Sequence, residues 1–355
     1  MTAKKPMSPW KMPLVALVIL VLTAAVLALL WLWVNGQRWT DPEKRTLAQL
    51  EVIKVASGVA LGGGGLFTLY LAARRQQHQE QAQADTNADA EARRITELYT
   101  KAVQQLGEPQ APVRLGGLYA LERLGQQHAE MQQTIVNVLC AYLRMPYTPP
   151  DGQTPDVEAQ QEREVRLTAQ RILTAHFYAP DPETYWGLRQ IDLTGAVLID
   201  LALNWRSLGP AKFDGARFLG ETDLRTTFAR SASFAGASFE GVTSFEGASF
   251  EVDAVFTRAS FGQFVSFQKA TIYCSSFDDA VFSGSADFGQ ARLHRWSSFR
   301  RVSFGSAVWF TGVVFAKGTD LDTAALAKLP EFEDATFSDV TTSSELPPRP
   351  PTPAS

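Results

Sequence analysis

The chain has 355 residues, and its 33 basic against 37 acidic side chains leave a formal charge of -4, which excludes polyanion binding driven by the charge of the whole chain. Its two cysteines, Cys140 and Cys274, fall in segments of different pattern and exclude both a disulfide framework and a CxxC metal or redox motif. The length suits two or three domains.

After a basic N-terminal segment, 1–12, the run 13–34, PLVALVILVLTAAVLALLWLWV, carries no charge and is long enough for a membrane-spanning helix, which takes about 20 residues. Trp31 and Trp33 suit its interface, and the exit into WLWVNGQRW offers no small-residue cleavage site, so a retained helix is expected rather than a signal peptide. A short loop, 35–54, leads to a second apolar stretch, 55–73, weakened by Gly62 to Gly65. Within it Gly58 and Gly62 have GxxxG spacing, two bare patches on one helix face that would admit another helix of the hairpin or of a homodimer. Lys4, Lys5 and Lys11 precede the first span, and Arg74, Arg75, Arg93 and Arg94 follow the second. The loop holds Arg38, Lys44 and Arg45, so the asymmetry is slight. It favours cytoplasmic termini in a multi-pass plasma-membrane protein, with membrane lipid as a partner through two helices.

Segment 74–94 is almost free of large apolar residues and rich in helix formers, as expected of a polar juxtamembrane helix or linker. From 95 to 178 the pattern becomes amphipathic. Ile95, Leu98, Tyr99, Ala102 and Leu106 mark one helix, and Leu115, Leu118, Tyr119, Leu121 and Leu124 a second, in which Gly116 and Gly117 allow close approach of a neighbour. Met131, Ile135, Val138, Leu139 and Tyr142 mark a third helix, and Val165, Leu167, Ile172 and Leu173 a fourth over about Val157 to His176. Such short helices are similar to HEAT units and are placed to cap whatever follows.

Residues 188–337 are periodic. Leu188, Leu193, Leu198, Leu203, Leu208, Phe213 and Phe218 recur every five residues, and after an irregular patch at Glu221 to Thr227 the series resumes at Phe228. Phe234, Phe239, Phe245, Phe250, Phe256, Phe261 and Phe267 then alternate steps of five and six, a rhythm that returns through Phe282, Phe288, Phe304 and Phe310. Two residues before most of them stands a small side chain, such as Ala237, Ala248 or Ala259. Residues two apart on extended backbone share a face, so small and large side chains point inward together, and a return every five residues requires a coil that turns a corner at each unit.

LTGAVLIDLALN, FAGASF, FEGASF and FDDAVF resemble the pentapeptide-repeat family, in its membrane-anchored bacterial type with a helical domain before the repeats. The resemblance implies a right-handed quadrilateral β-helix with four units per coil and the central Leu or Phe stacked along the axis. The expected fold class is therefore α + β: two transmembrane helices, a small HEAT-like helical domain and a pentapeptide-repeat solenoid. Its ladder would include Leu193, Leu198, Phe213, Phe239, Phe245, Phe250, Phe256, Phe261, Phe282, Phe288, Phe304 and Phe310. At about 21 residues per coil and about 4.8 Å between strands, roughly seven coils are expected, with each sixth residue bulging at a corner.

Chemistry is sparse. His78, His128, His176 and His294 lie in four segments without metal-ligand spacing, Gly62 to Gly65 lack the GK[ST] of a phosphate loop, and no serine sits in a GxSxG elbow. No catalytic residue, metal or cofactor is assigned. The expected function is a non-catalytic, membrane-anchored scaffold for an unknown protein partner. Soluble members of the family include rods that mimic DNA and bind gyrase, which gives a second reading, and Glu240, Glu246, Glu251, Asp253, Asp278, Asp279 and Asp287 would have to supply its acidic patch. Arg292, Arg295, Arg300 and Arg301 follow directly and favour a mixed face. An enzyme with an unrecognised site is the third reading. Nucleic acid is disfavoured as a partner, and a homodimer would form through the transmembrane helix or the end of the β-helix. The tail, 338–355, with its PPRPPTP, is expected to be disordered.

Overall fold

Helix α1, Lys11–Gly36, and helix α2, Pro42–Leu106, open the chain in a computed structural model that describes residues 11–36, 38, 42–150, 156–177, 184–203, 207–316, 318–321, 325–326 and 334–337. Two compact units result, Met1–Ala92 and Arg93–Ser355. In the first, Gln49 Nε2 donates to Asn35 Oδ1 at 2.8 Å and joins the end of α1 to the start of α2. Pro42 suits a first helical position, where its missing N–H has no partner to lose, and Glu43 complements the helix dipole. The expected loop 35–54 is therefore helical from Pro42 onward, and 74–94 continues the same helix because its Ala, Gln and Glu residues include no proline. Among the described residues no helix is long and apolar enough to cross a membrane, so the structure does not support the two expected spans, 13–34 and 55–73. In α2, Gly62, Gly64 and Gly65 dilute the apolar run.

The second unit begins with the last turns of α2. Helix α3, Ala111–Gln127, carries Pro112 in its first turn, helix α4, Gln132–Arg144, follows a single 3₁₀ turn, and helix α5, Val157–Phe177, closes the group. Leu118, Leu121, Ile135, Leu139, Val165, Ala169 and Phe177 form its buried core. A Cβ on Gly117 would stand 2.7 Å from the carbonyl oxygen of Ala102, so this glycine admits the end of α2. Gly116 has nothing within 4 Å, and Tyr119, expected in the apolar stripe, is exposed. Only one glycine of the pair therefore does what was expected of both.

The remaining residues wind into a parallel solenoid with four faces. Ile191 pairs with Ala211, Ala211 with Ala232, Ala232 with Ala254 and Ser275 with Ser297 on the first face. Val197–Ile199 begins the second face, Thr222–Asp223 the third and Thr227–Phe228 the fourth. Partners lie 20 residues apart at Ile191 and Ala211, 21 apart at Ala211 and Ala232, and 22 apart at Ala232 and Ala254. The coil thus grows from four five-residue steps to two of five and two of six, through an intermediate coil in which the four-residue step from Leu224 to Phe228 offsets one of the six-residue steps.

The six-residue steps occupy alternate corners. Between the first and second faces every step is five residues long, and between the third and fourth the steps are also five except for the four-residue step from Leu224 to Phe228. There the N–H of Ala216 bonds the carbonyl of Phe213 and that of Ala248 the carbonyl of Phe245, both at 3.0 Å. Gly215 and Gly247 between them have positive φ, 63° and 65°, as the third residue of a type II turn requires. Arg258 and Lys269 hold the same left-handed position in later coils without glycine's freedom. At the other two corners the sixth residue is absorbed. Phe250 to Phe256 is such a step, and its pairing with the five-residue step Ile272 to Phe277 shifts register between Phe250 and Asp253, placing the bulge where it was expected, at a corner. At one of these corners the backbone runs so close to the coil beneath that a Cβ on Gly284 would overlap the backbone of Gln263.

Helices α4 and α5 close the first coil. Gln170 gives both ends of its amide to one residue of the second face, Nε2 donating to the Ile199 carbonyl at 2.8 Å and Oε1 accepting from the Ile199 N–H at 3.0 Å. Arg144 pairs with Asp192 at 2.7 Å, and the Gln133 amide bonds both the N–H and the carbonyl of Gln190. An edge that would otherwise offer open backbone groups is thereby occupied.

Phe250→Asp places a charge in the dry interior and is expected to abolish folding of the solenoid, whereas Glu251→Ala, at an exposed neighbour, should shift stability by no more than about 0.5 kcal/mol. Circular dichroism with urea denaturation separates the two, and a Phe250→Asp protein melting like the parent overturns the inward placement. Gln170→Leu removes both partners of Ile199 and should cost about 1–3 kcal/mol for each orphaned group, with faster hydrogen exchange at the Ile199 amide.

Candidate interaction surface

The repeated side chains point inward in four columns. Phe213, Phe234, Phe256, Phe277 and Phe299 stack in one, with centroids 4.8–5.0 Å apart. Phe218, Phe239, Phe261, Phe282 and Phe304 form the second at 4.4–4.9 Å. Phe245, Phe267, Phe288 and Phe310 form the third, and Phe228 on Phe250 begins the fourth, which continues through Ile272 and Leu293. Neighbouring columns meet edge to face, as between Phe245 and Phe256 at 86°. All twelve expected ladder residues, Leu193 and Leu198 included, are buried. The ladder is therefore closed to a ligand, and only the outward residues are accessible.

Gly58 and Gly62 lie exposed on α2, and among the described residues no second helix comes within 4 Å of either Cβ position.

The seven acidic residues do not form one patch. Asp278 and Asp279 stand at the corner between the first and second faces, Glu240 at the next, Glu246 at the third and Asp253 at the fourth. Several are answered locally. Arg217 binds Glu240 at 2.8 Å, and Arg301 binds Asp279 at 2.6 Å, which holds that carboxyl below its ordinary range. Arg300 lies between Asp278 and Asp320. Acid and base alternate from one coil to the next, and the result is a mixed surface.

One corner differs. Tyr273 and Trp296 are exposed on consecutive coils between the fourth and first faces, where Ser275 pairs with Ser297, and the Arg295 guanidinium lies 4.9 Å from the centre of the Tyr273 ring. Arg292 and His294 are exposed beside them. The periodic pattern gives no sign of this group, whose members are separated by a full coil in sequence.

The helical domain holds buried polar groups of another kind. Arg166 is 2% exposed, donates to the Leu143 and Met145 carbonyls, and pairs with Glu162 at 2.8 Å. Tyr142 Oη donates to the same carboxylate at 2.8 Å, and Arg114 approaches it at 3.1 Å. The Glu162 carboxylate is shared by both guanidiniums and Tyr142, which describes a fastening between α3, α4 and α5, while Arg114 Nε and Tyr147 Oη are buried without a hydrogen-bond partner. His176 is likewise held, between Glu122 and the Thr184 carbonyl, both at 2.8 Å, and stacked on Trp186. Among the described residues no group of three or more His, Cys, Asp or Glu could hold a metal ion.

Burial pushes the Cys140 thiol up to about 12, and burial with the Glu162 carboxylate pushes Tyr142 above its ordinary range. Both groups release their protons more readily in the unfolded chain, from about pH 8.5 for the thiol and about pH 10 for the phenol. The stability they confer is complete below those values and falls as pH rises, by about 1.4 kcal/mol per pH unit for each group. Urea midpoints measured at increasing alkalinity should show this loss, and Cys140→Ala with Tyr142→Phe should flatten it; an unchanged slope overturns the assignment.

A search among curated proteins finds no match to the chain. A family model described as pentapeptide repeats matches residues 224–271 and 256–303. Those residues span four-sided coils with one large apolar side chain turned inward at each side. Residues 224–303 are identified as pentapeptide repeats, and repeats of this kind build the β-solenoid.

Proposed function

We propose that the chain is a non-catalytic scaffold whose solenoid binds a protein partner through its outward residues, and that its N-terminal helices anchor it in the plasma membrane with the later domains on the cytoplasmic side. The observation that carries the binding reading is the division of labour in each repeat. The residues that recur are sealed in the ladder, while the outward ones vary from coil to coil and include exposed Val242, Phe264, Tyr273, Val281 and Trp296. Varied outward side chains on a rigid rod suit recognition of one extended surface. The spread of the acidic residues around all four corners favours this reading over mimicry of DNA.

Anchoring rests on the uncharged run 13–34 and on the exposed apolar side chains of the first unit, among them Leu29, Leu32, Trp33, Leu50, Ile53 and Leu61. Gly58 and Gly62 give the place where a helix of a second copy would approach.

Proximity labelling from the C-terminal end of the full-length protein in its own host should enrich a defined protein, and substitutions at outward positions of the solenoid should remove it. Recovery of abundant membrane proteins alone counts against the scaffold reading. The same cells test the anchor, because the full-length protein should resist alkaline extraction from membranes and the chain without residues 1–75 should not. In a gyrase supercoiling assay the purified chain should leave activity unchanged; inhibition would restore the DNA-mimic reading.

A further inference from the structure

We propose that the chain's own proline-rich segment, 345–353, docks on the corner formed by Tyr273, Arg295 and Trp296. The surface has the chemistry for it. Two half-exposed aromatic rings, 38% and 46% accessible, stand on successive coils with a guanidinium over one of them, whereas Phe277, Phe282, Phe288 and Phe299 are sealed in the ladder and Trp309 is only partly exposed on the third face. Rings of this kind take polyproline segments, whose extended helix is formed before binding and loses little entropy. ELPPRPPTP supplies five prolines in nine residues.

The end of the solenoid brings the segment within reach. The last described strand, Thr336–Phe337, pairs with Val314–Phe315 on the fourth face, which pairs with Arg292–Leu293 and then with Thr271–Ile272, immediately before Tyr273. Three rungs separate Phe337 from Tyr273, about 14 Å at about 4.8 Å per rung. Ten residues lead from Phe337 to Pro347 and span up to about 33 Å. Glu345 precedes the prolines and gives one carboxylate for the exposed Arg292, His294 and Arg295 around the rings, while Arg349 within the segment leaves its formal charge at zero. Tethering raises the local concentration of the segment to about the millimolar range, enough to populate a weak contact. The inference is independent of membrane anchoring and of the identity of any protein partner.

The test uses a labelled peptide of residues 344–355 and fluorescence anisotropy. The chain ending at Phe337 should bind the peptide, and the full chain, whose own segment competes, should bind it about ten-fold or more weakly. Tyr273→Ala with Trp296→Ala in the shortened chain should weaken binding by about ten-fold or more while leaving the melting temperature unchanged. Absence of binding to the shortened chain, equal binding by both chains, or indifference to the double substitution overturns the proposal. Alkylation of Cys274 gives a second reading, because its register position lies beside Trp296 while Cys140 is buried. It should be faster in the shortened chain. Protection in the full chain that disappears on dilution would assign the contact to a second copy and overturn docking within the chain.

Discussion

The solenoid depends on one requirement, that each coil set its large apolar side chains directly over those of the coil before. Parallel pairing fixes the vertical spacing of the backbone, and the rings stack at 4.4–5.2 Å because that is the spacing they are given. Burial of so many phenylalanines supplies the main stabilising free energy, with offset and edge-to-face contacts adding direction. Smaller features follow from keeping the rings in register. The small or β-branched residue two before each ring leaves room for it, and the left-handed residue of most tight corners turns the chain without moving it. The extra residue of a long step is pushed outward, where Glu251 and Asp253 flank it on the exposed side.

A stack of this kind is stable within and vulnerable at its ends. Its first coil has a full set of backbone groups and an apolar floor with no coil beneath. Helices α4 and α5 meet both needs, with Leu143 and Leu173 against the floor of Ile191, Leu198 and Leu203 and with Gln170 against the backbone of Ile199. The buried Arg166, Glu162 and Tyr142 fasten these helices to one another, so that the cap is itself a defined piece of structure rather than a loose apolar lid.

The same geometry separates stability from recognition. Inward positions are fixed by stacking and change little from coil to coil. Outward positions are constrained only by solvation and by neighbours one coil away, which is why Arg217 finds Glu240 and Arg301 finds Asp279 at a separation of one turn. Such pairs are exposed and screened by solvent, so they add little to stability, but they break the surface into alternating charge. The Tyr273, Arg295 and Trp296 corner interrupts that alternation.

The sequence by itself determined the repeat, its inward ladder and the change from five-residue to alternating steps, because each is a relation between residues at most six apart and follows from which side of extended backbone a residue occupies. It also determined the helical character of 95–178 from apolar spacing, with helix α5 ending within one residue of the expected position. The tertiary structure decided what depends on residues a full coil or more apart. Closure of the coil assigned the six-residue steps to alternate corners, and contact with α2 distinguished Gly117 from Gly116. The continuity of α2 from Pro42 to Leu106 was hidden by a change of composition that alters polarity without breaking a helix. The acidic residues, close in sequence, were carried to four different corners, while Tyr273 and Trp296 were brought to one. A coil of 20 to 22 residues makes neighbours of side chains one turn apart, and local periodicity cannot fix that distance until the corners are known.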